Sequence, residues 1–532
     1  MDTLSGKTNA PYILTIDLGT SGPKVALFSA GGRMVDTEFE PVELLLFPRG
    51  GAEQRPEDWW RAVTTAVRRM LDRKPVPVDA IAAISCTGQW SGTVAVDRTG
   101  NHLMNALIWM DSRGEPYIRE ITGGPVRFEG YGITKLPRWL RLTGGAPSPS
   151  GKDPLAHILY IKHVLPDIYR ETYKFLEPKD YLNLRLTGVF AASHDSIALH
   201  WITDNRNIDA IAYDDGLIAL STVPREKFPE LKRAVDILGP LMTRAADELG
   251  LKAGIPVITG TPDVQSAALG SGAVRDLEGH LYIGTSAWLT CHVPFKKTDI
   301  VHNMASLPSA IPGRYFVANE QETAGACLTF LRDNIFFHDD ELTTGPAPDD
   351  TYRIFDRIAE KTPPGSGGVI FTPWLYGERT PVENHTLRSG FFNQSLNTTR
   401  EHLVRSVFEG VACNSRWLLG AVEKFIGRPF PSLNMIGGGA LSAVWCQIHA
   451  DVLNRTIRQV EDPLHANVRG AAYLASVALG HLTFDGIPES ARVQCVYTPR
   501  TEHRKLYDEL FREFLNIYRK NRSIHRRLNR PR

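Results

Sequence analysis

Tyr12–Ser29 reads YILTIDLGTSGPKVALFS, in which two apolar, β-rich runs flank a turn of glycine and hydroxyl residues. The pattern predicts a strand over Tyr12–Leu18, a tight turn, and a second strand over Lys24–Ser29. Arg33–Phe39 continues the pattern after a Gly-Gly pair, so we expect the chain to open with a three-stranded β-meander. This opening decides the fold, because its turn occurs a second time in the sequence.

The turn Leu18-Gly19-Thr20-Ser21-Gly22 returns as Ile283-Gly284-Thr285-Ser286-Ala287. The two copies lie about half a chain apart, and each stands between two apolar strand patterns. A five-residue match arises easily by chance, but the shared context favours an internal duplication. Two related domains, each with a Gly-Thr-Ser turn, would then face each other across a cleft.

The length of the chain also argues for two domains. A single hydrophobic core stops growing at about 250–300 residues, and this chain has 532. Strand patterns alternate with helical ones, such as the apolar stripe that follows Pro56, which indicates an α/β fold. The glycine-containing stretch between Leu238 and Ile255 is the predicted boundary, with an N-terminal domain over residues 1–250 and a C-terminal domain over residues 251–532.

Composition excludes several classes of protein. The chain is 42% hydrophobic and 22% charged, as globular proteins are, and its 60 Lys and Arg residues nearly balance 59 Asp and Glu residues. This balance gives no reason to expect a nucleic-acid or membrane partner, and the basic tail Arg519–Arg532 is expected to be a solvated end. Six scattered cysteines form no Cys-x-x-Cys pair. Without a signal-peptide or transmembrane pattern, we expect a reducing, cytoplasmic compartment.

The Gly-Thr-Ser turn has the chemistry of a phosphate site. Gly19 would let backbone N–H groups approach an anion closely, and Thr20 and Ser21 would add hydroxyl donors. The carboxylate of Asp17, at the edge of the turn, is suited to hold a Mg²⁺ ion that neutralises polyphosphate charge. Taken alone, the turn is also compatible with an ordinary hairpin.

A third glycine cluster, Gly437-Gly438-Gly439-Ala440, lies between a strand pattern over Leu433–Ile436 and a helical pattern over Leu441–Leu453. Three consecutive glycines expose bare backbone, on which a flat base or a ribose can lie. The alternative is a tight strand–helix junction. Three glycines exceed what such a junction needs, so the pattern favours a ligand site.

Asp263 follows an apolar strand pattern over Val257–Thr261 and precedes a small-residue helical pattern. A carboxylate at the end of a parallel strand points into the crevice beside the sheet, where it could take a proton from an attacking hydroxyl. Asp is equally favoured as a helix N-cap. Position alone leaves both interpretations open.

The chain resembles the FGGY carbohydrate kinases, of the sugar-kinase, actin and Hsp70 superfamily, nearly end to end. The resemblance is carried by motifs spread over the whole sequence: Asp17–Lys24, Gly88–Gly92, Ala106–Arg113, Pro178–Tyr181, Leu186–Gly188, Gly284–Thr285, Gly377–Pro381, Ser389–Glu409, Gly437–Ala440, Ala450–Val452 and Gly470–Ala472. It implies two actin-like, ribonuclease H-like α/β domains around a central cleft. It also allows a homodimer.

The resemblance implies a role for each candidate residue. Asp263 matches the catalytic base, and Asp17 the aspartate associated with Mg²⁺. The expected nucleotide contacts are Asp17, Gly19, Thr20, Ser21, Lys24, Gly284, Thr285, Gly437, Gly438, Gly439 and Ala440; the expected sugar contacts are Gln89, Trp90, Ser91, Asp111 and Asp263.

Together these observations predict an ATP- and Mg²⁺-dependent kinase that phosphorylates a hydroxyl of a ketose or polyol, similar to the xylulokinases. One alternative is a kinase for another small polyol, such as glycerol, a tetritol or an aldonate. Another is a nucleotide- and sugar-binding protein without catalysis.

The sugar side departs from the xylulokinase pattern. Where that pattern has Gln-Met-His-Gly, this chain has Gln89-Trp90-Ser91-Gly92, and Val264 replaces the polar residue after the base. Two polar contacts to sugar hydroxyls are thereby weakened or lost, and one wall becomes bulkier. We therefore expect an acceptor other than D-xylulose to be preferred.

Overall fold

The computed structural model describes residues 11–128 and 130–529. The N-terminal half is built on a six-stranded sheet whose strands are β1 (Tyr12–Gly19), β2 (Gly22–Ser29), β3 (Met34–Phe39), β4 (Ile81–Gly88), β5 (Ile237–Pro240) and β6 (Pro256–Ile258). They lie side by side in the order β5-β6-β4-β1-β2-β3. Because β1, β2 and β3 pair antiparallel in sequence order, the predicted meander is confirmed.

Strand β1 lies at the centre of this sheet, antiparallel to β2 and parallel to β4. Leu14 and Ile16 face one hydrophobic core, whereas Ile13 faces another on the opposite side of the sheet. A strand covered on both faces needs a nearly continuous apolar run. That requirement explains the composition of Tyr12–Leu18.

The C-terminal half repeats this topology. Its five-stranded sheet has the order β8-β7-β9-β10-β11, with strands β7 (Gly279–Ile283), β8 (Ala287–Thr290), β9 (Ser432–Ile436), β10 (Thr456–Val460) and β11 (Val493–Tyr497). Strand β7 is antiparallel to β8 and parallel to β9, as β1 is to β2 and β4. The repeated Gly-Thr-Ser motif therefore marks the same hairpin in two sheets, and the predicted duplication is confirmed.

Eight helices frame the sheets and the cleft: α1 (Pro56–Asp72), α2 (Pro154–Val164), α3 (Pro178–Thr187), α4 (Asp263–Gly270), α5 (Arg400–Ile426), α6 (Ala443–Leu453), α7 (Ala466–Ala478) and α8 (Arg504–Leu528). The helix predicted after Pro56 is present. Helix α8 includes most of the basic tail, whose last three residues lie outside the described part of the chain. No helix among the described residues has both the length and the apolar character needed to cross a bilayer.

Shorter elements complete the two halves. The other α-helices are Glu115–Thr122, Leu136–Leu142, Pro166–Glu171, Asp215–Ser221, Thr243–Leu249, Ala326–Phe330, Thr351–Lys361 and Ile487–Ser490. The other strands are Leu45–Phe47, Gly51–Gln54, Val94–Val96, Ala106–Leu107, Arg127–Phe128, Tyr131–Gly132, Lys174–Leu176, Ala191–Ser193, Thr203–Asp204, Ala212–Tyr213, Glu230–Lys232, His292–Val293, Thr298–Asp299, Met304–Pro308, Tyr315–Ala318, Ile370–Thr372 and Gly390–Phe392.

Two helices are exchanged between the halves. Helix α4 follows the last strand of the first sheet, yet its Ala267 packs with Ile436 and Val460 of the second sheet. Helix α7 follows the second sheet, yet its Val468 and Ala472 pack against the first sheet. Each half thus completes the core of the other, which fixes how they face one another across the cleft.

The exchanged helices touch at two glycines. A Cβ atom at Gly270 would lie 1.8 Å from the carbonyl oxygen of Ala466, and one at Gly470 would lie 1.8 Å from that of Ser266. A carbon atom cannot approach a backbone oxygen so closely. Glycine at both positions is therefore required for the helices to cross, and the symmetry of the two contacts reflects the duplication.

The predicted domain boundary at residues 250/251 differs from the structure. Strands β5 and β6 lie on either side of it, but β6 pairs with both β5 and β4 of the first sheet. The glycines between these strands form turns within the first half rather than a linker. The chain changes sheet only after α4, over residues 271–278, because a break in the local pattern does not reveal which sheet the next strand joins.

Candidate active site

The ends of β1 and β7 and the beginning of α4 meet between the two halves. Asp17 lies near the end of β1, Tyr282 near the end of β7, and Asp263 is the first residue of α4. Burial and the charge of Asp17 raise the pKa of Asp263, and burial together with both carboxylates raises the pKa of Tyr282. The structure therefore brings the two predicted carboxylates into one cleft.

Asp263 follows Pro262, which occupies the N-cap position of α4, so the N-cap interpretation does not apply to Asp263 itself. Its Oδ1 atom accepts a hydrogen bond from the Val264 amide at 2.8 Å. Burial raises the pKa of the Asp263 carboxyl to about 8, and the Asp17 and Glu320 carboxylates add to this shift. The residue keeps some accessible surface at the cleft, but protein surrounds the carboxyl group. A carboxyl group with such a pKa is matched to proton transfer near neutral pH.

Asp17 is 8% exposed, and its Oδ1 atom has no hydrogen-bond partner among the described residues. Burial raises the pKa of Asp17, whereas the Lys24 charge and a hydrogen bond from the Asn467 side chain lower it. Lys24 Nζ donates to the carbonyl oxygen of Leu464 at 2.7 Å. Lys24 therefore joins the first sheet to the loop before α7, close to the carboxylate that it balances.

In the first predicted phosphate turn, Gly19–Gly22, the space beside the Gly19 backbone is open. A Cβ atom there would meet only the carbonyl oxygen of Gly22, at an ordinary 3.4 Å. Gly22 is the glycine that the fold requires, because its φ is +143° and a Cβ would lie 2.1 Å from the Glu40 carbonyl oxygen. Ser21 is exposed at the tip of the turn. The surroundings of Gly19 thus allow a ligand to approach the backbone.

The second turn is closed by the Gly284 amide, which donates to the Ser286 carbonyl at 2.9 Å. Thr285 is exposed at its tip. A Cβ at Gly284 would lie 2.2 Å from the hydroxyl oxygen of Tyr282. Gly284 therefore adjoins a side chain that no sequence motif indicated.

The glycine cluster serves two purposes. Cβ atoms at Gly437 and Gly439 would lie 2.5 Å and 2.4 Å from atoms of Ile283, so these two glycines allow the turn to pack on the end of β7. Ala440 is fully buried, and its carbonyl accepts a hydrogen bond from Gln459 at 2.6 Å. Ala440 therefore supports the turn rather than lining it. Only Gly438 has open space where a Cβ would be, so its backbone is the accessible part of the cluster.

We expect Gly438→Val to weaken ADP binding by at least about tenfold, equivalent to about 1.4 kcal/mol, because the valine would fill the open space above the turn. The melting temperature should stay near that of the wild type, since no atom lies within 4 Å of the new Cβ. Calorimetric titration with ADP measures the effect. Gly420→Val, at an equally open position outside the cleft, is the matched control. Unchanged affinity in Gly438→Val would contradict a nucleotide site at this turn.

Gln89 connects the sugar-side turn to the first phosphate turn. Its amide nitrogen Nε2 donates to Gln54 Oε1 at 2.9 Å, and Gln54 Nε2 donates to the Thr20 carbonyl at 2.7 Å. The Thr20 hydroxyl accepts from Trp109 Nε1 at 3.0 Å. Gln89 Oε1 is buried without a hydrogen-bond partner in the described residues, so it is an acceptor that a ligand hydroxyl would satisfy. Gln54 belongs to no sequence motif. Its role in linking Gln89 to Thr20 becomes evident only from its buried position in the structure.

The polar atoms of Trp90 and Ser91 are already bonded to protein. Trp90 Nε1 donates to the Ser196 carbonyl at 3.0 Å, and Ser91 Oγ donates to the Lys152 carbonyl at 2.9 Å. Ser91 also has a left-handed backbone, with φ of +68°. These residues therefore shape the turn without offering a free donor to the sugar.

Asp111 is placed differently from its predicted role as a sugar contact. Its side chain is fully buried, and its oxygens accept hydrogen bonds from the Ala52 amide and from the backbone and guanidinium of Arg113. With both oxygens occupied, Asp111 positions Arg113 and the adjoining strand. The sequence motif could not distinguish a residue that binds the sugar from one that supports the wall behind it.

A cluster of four charges next to Asp263 was not predicted. The Arg379 guanidinium forms ion pairs with Glu320 and Glu322, and the Glu322 contacts are 2.9–3.0 Å long. Lys152 Nζ lies 5.7 Å from the centre of the Tyr376 ring, and burial together with the Arg379 charge lowers its pKa. Because Glu320 acts electrostatically on both Lys152 and Asp263, the cluster belongs to the surroundings of Asp263.

The segment before Asp263 is held by a buried polar network. Lys179 Nζ and Asn183 Nδ2 donate to the Thr259 carbonyl at 2.9 Å and 2.7 Å. The Thr261 hydroxyl donates to Asp195. Helix α3, which carries the motif Pro178–Tyr181, therefore positions the segment between β6 and Asp263, the first residue of α4.

Comparison with known proteins identifies this arrangement. The family model described as the N-terminal domain of the FGGY family of carbohydrate kinases matches residues 12–270, and the C-terminal domain model matches residues 281–479. The chain belongs to the FGGY family of carbohydrate kinases. It is therefore a phosphotransferase that uses ATP to phosphorylate a hydroxyl of a small carbohydrate, and the predicted enzyme class is confirmed.

The relatives of this FGGY kinase share its full length. A xylulose kinase from Bacillus subtilis is 27% identical over 528 residues, which cover 96% of this chain and 98% of the relative. A gluconokinase from Bacillus subtilis is 26% identical over 510 residues, 96% of each protein. The crystal structure of a ligand-bound xylulose kinase from Lactobacillus acidophilus superposes with a TM-score of 0.84 at 22% identity, covering 98% of this chain and 100% of the other. The predicted fold and the resemblance to the xylulokinase branch are confirmed.

Proposed function

We propose that this FGGY kinase transfers the γ-phosphoryl group of ATP to a neutral ketose or polyol, with Asp263 as the base. The observation that carries the assignment is the position of Asp263, a buried carboxylate at the beginning of α4 whose electrostatic neighbour is Asp17 at the end of β1. The acceptor hydroxyl attacks the γ-phosphorus while its proton passes to a carboxylate oxygen of Asp263. The ADP oxygen leaves on the opposite side of the phosphorus.

Asp17 is the residue that would hold Mg²⁺. Its buried Oδ1 lacks a partner, and Mg²⁺ commonly binds one or two carboxylates together with substrate phosphates and water. No cluster of three or more His, Cys, Asp or Glu side chains that could hold a metal occurs among the described residues, which agrees with a site completed by the nucleotide. When bound, the ion would neutralise charge on the phosphates.

The protein's own groups supply positioning and electrostatic stabilisation. The turns at Gly19 and Gly284, with Thr20, Ser21 and Thr285, would donate to phosphate oxygens from opposite sides. Gly438 would lie against the nucleoside. Closure of the cleft would exclude water, which would otherwise compete with the acceptor.

The charges around the cleft favour a neutral acceptor over an aldonate. Lys152 and Arg379 carry two positive charges and Glu320 and Glu322 two negative ones, so the cluster has no net charge, with both glutamates paired to Arg379. Asp17 adds a further negative charge nearby. An anionic acceptor would meet a cluster without net positive charge, whereas a neutral one needs only hydrogen-bond partners such as Gln89 Oε1.

Measuring ATP consumption with D-xylulose, other pentuloses, tetritols, glycerol and gluconate tests the proposal. We expect neutral acceptors to give a kcat/KM at least about tenfold higher than that of gluconate. A modest electrostatic mismatch between an anionic acceptor and the site lowers kcat/KM by about this factor. Gluconate as the best acceptor would overturn the neutral-acceptor assignment. Absence of phosphorylation with every acceptor would overturn the proposed function.

Within that panel, we expect D-xylulose not to be the best acceptor. The side chains of Trp90 and Ser91 already donate hydrogen bonds to the Ser196 and Lys152 carbonyls, and Val264 packs in an apolar cluster. A site without partners for particular hydroxyls cannot select for them. Ser91→His is the informative variant, since it restores the imidazole of the xylulokinase pattern and should raise the relative kcat/KM for D-xylulose. The highest kcat/KM of the wild type with D-xylulose would contradict this prediction.

A further inference from the structure

Tyr282 lies at the junction of two ligand-binding turns, although it belongs to no motif. Its hydroxyl oxygen would be 2.2 Å from a Cβ at Gly284, and a ring carbon would be 3.1 Å from a Cβ at Gly437. The phenol therefore occupies the space directly above the second phosphate turn and beside the glycine cluster. A side chain at this position borders the space between the two turns.

The ring is held rigidly. Tyr282 and Trp288 are a cross-strand pair of β7 and β8, and their rings stack with centroids 3.8 Å apart and planes 6° from parallel. Both belong to a cluster that includes Val264, the residue after Asp263. The hydroxyl group is thus preorganised, which is the property that makes a hydrogen-bond donor effective in catalysis.

The hydroxyl itself is free. Among the described residues it has no hydrogen-bond partner, and the two charged groups that act on it are Asp263 and Asp17. Burial and these two carboxylates raise the pKa of Tyr282 to about 12. The phenol therefore remains protonated at neutral pH and is available as a donor, whereas it could not serve as a base.

We propose that the Tyr282 hydroxyl is a further catalytic group, which donates a hydrogen bond to the phosphoryl group during its transfer. This inference rests on the proposed function. The phenol keeps its proton throughout, and no covalent bond to Tyr282 forms. The hydroxyl lies over the turn at Gly284 and is electrostatically coupled to Asp263. If that turn holds the phosphates and Asp263 receives the acceptor's proton, the donor is placed where negative charge is redistributed in the transition state.

The test is Tyr282→Phe, which removes the hydroxyl and keeps the stack on Trp288. We expect kcat with the best acceptor of the panel to fall by about 10²-fold, the effect of losing one transition-state donor. The KM of the acceptor and the Kd of ADP should change by less than about twofold, because a donor specific to the transition state contributes little to ground-state binding. The Kd of ADP with aluminium fluoride and acceptor, which mimics the transferring group, should rise by a factor similar to the loss in kcat.

Tyr117→Phe is the matched control, because Tyr117 is also a stacked tyrosine, with its ring 4.8 Å from that of His163, and lies outside the cleft. Wild-type kcat and wild-type aluminium fluoride affinity in Tyr282→Phe would overturn the proposal. A shifted pH profile with an unchanged maximal kcat would also overturn it, since the hydroxyl would then act on Asp263. If the wild type phosphorylates no acceptor, the proposed function fails, while the aluminium fluoride measurement still tests Tyr282 separately.

Discussion

Asp263→Asn should lower kcat by a factor of about 10²–10⁴, the usual cost of losing a general base. The amide has nearly the shape of the carboxylate but cannot accept the proton of the attacking hydroxyl. The Kd of ADP should be almost unchanged, since the carboxyl belongs to the acceptor side of the cleft. Steady-state kinetics and ADP titration measure the two effects, and Asp263→Asn with near wild-type kcat would show that another group is the base.

The same substitution should stabilise the free protein. The pKa of Asp263 is about 8 in the folded state and about 3.9 in an unfolded chain. The folded state therefore binds this proton more tightly, so the contribution of Asp263 to stability is largest below pH 4 and is lost as the pH rises from 4 through 8. Asparagine does not titrate, and the Tm advantage of Asp263→Asn over the wild type should grow between pH 4 and pH 8. Melting curves without nucleotide or Mg²⁺ test the sign of this difference in Tm. The prediction would be wrong if the wild type were the more stable protein at pH 8.

Gly470→Ala should cause the largest loss of stability. The new methyl group would lie 1.8 Å from the Ser266 carbonyl oxygen, a backbone atom that cannot turn away as a side chain can. Overpacking of a core costs about 1–3 kcal/mol and occasionally more, and this contact lies at the severe end. Because α4 carries Asp263, we also expect kcat to fall in any folded fraction. Denaturant unfolding measures the free energy, and activity per folded molecule measures the displacement of α4.

Gly420→Ala is the control for this prediction. Gly420 is also within a helix, α5, but no atom lies within 4 Å of the Cβ that would be added. Alanine has the higher helix propensity, so this variant should be as stable as the wild type or more stable by up to about 1 kcal/mol. Equal unfolding free energies for Gly470→Ala and the wild type would mean that the helices can separate at no cost, and would contradict the close crossing.

Much of the fold could be predicted from local pattern. The strand at Tyr12–Leu18 is a continuous apolar run because it is buried on both faces, and a run of this kind can be read without knowledge of its neighbours. The repeated turns at Gly19 and Gly284 predicted the duplicated hairpin. Asp17 and Asp263 could be proposed because each ends a strand pattern, and strand ends of an α/β sheet border its crevice.

The sequence by itself therefore determined the α/β class, the duplication, the two turns and the two carboxylates, all of which depend on a few neighbouring residues. Only the tertiary structure decided which sheet β6 joins, that α4 and α7 are exchanged, that Asp111 is buried against Ala52 and Arg113, and that Tyr282 lies over Gly284. Each of these depends on groups that are distant in sequence or on the direction of one side chain. Pairing and packing of distant segments is decided by the whole core at once, so no short stretch of residues contains that information.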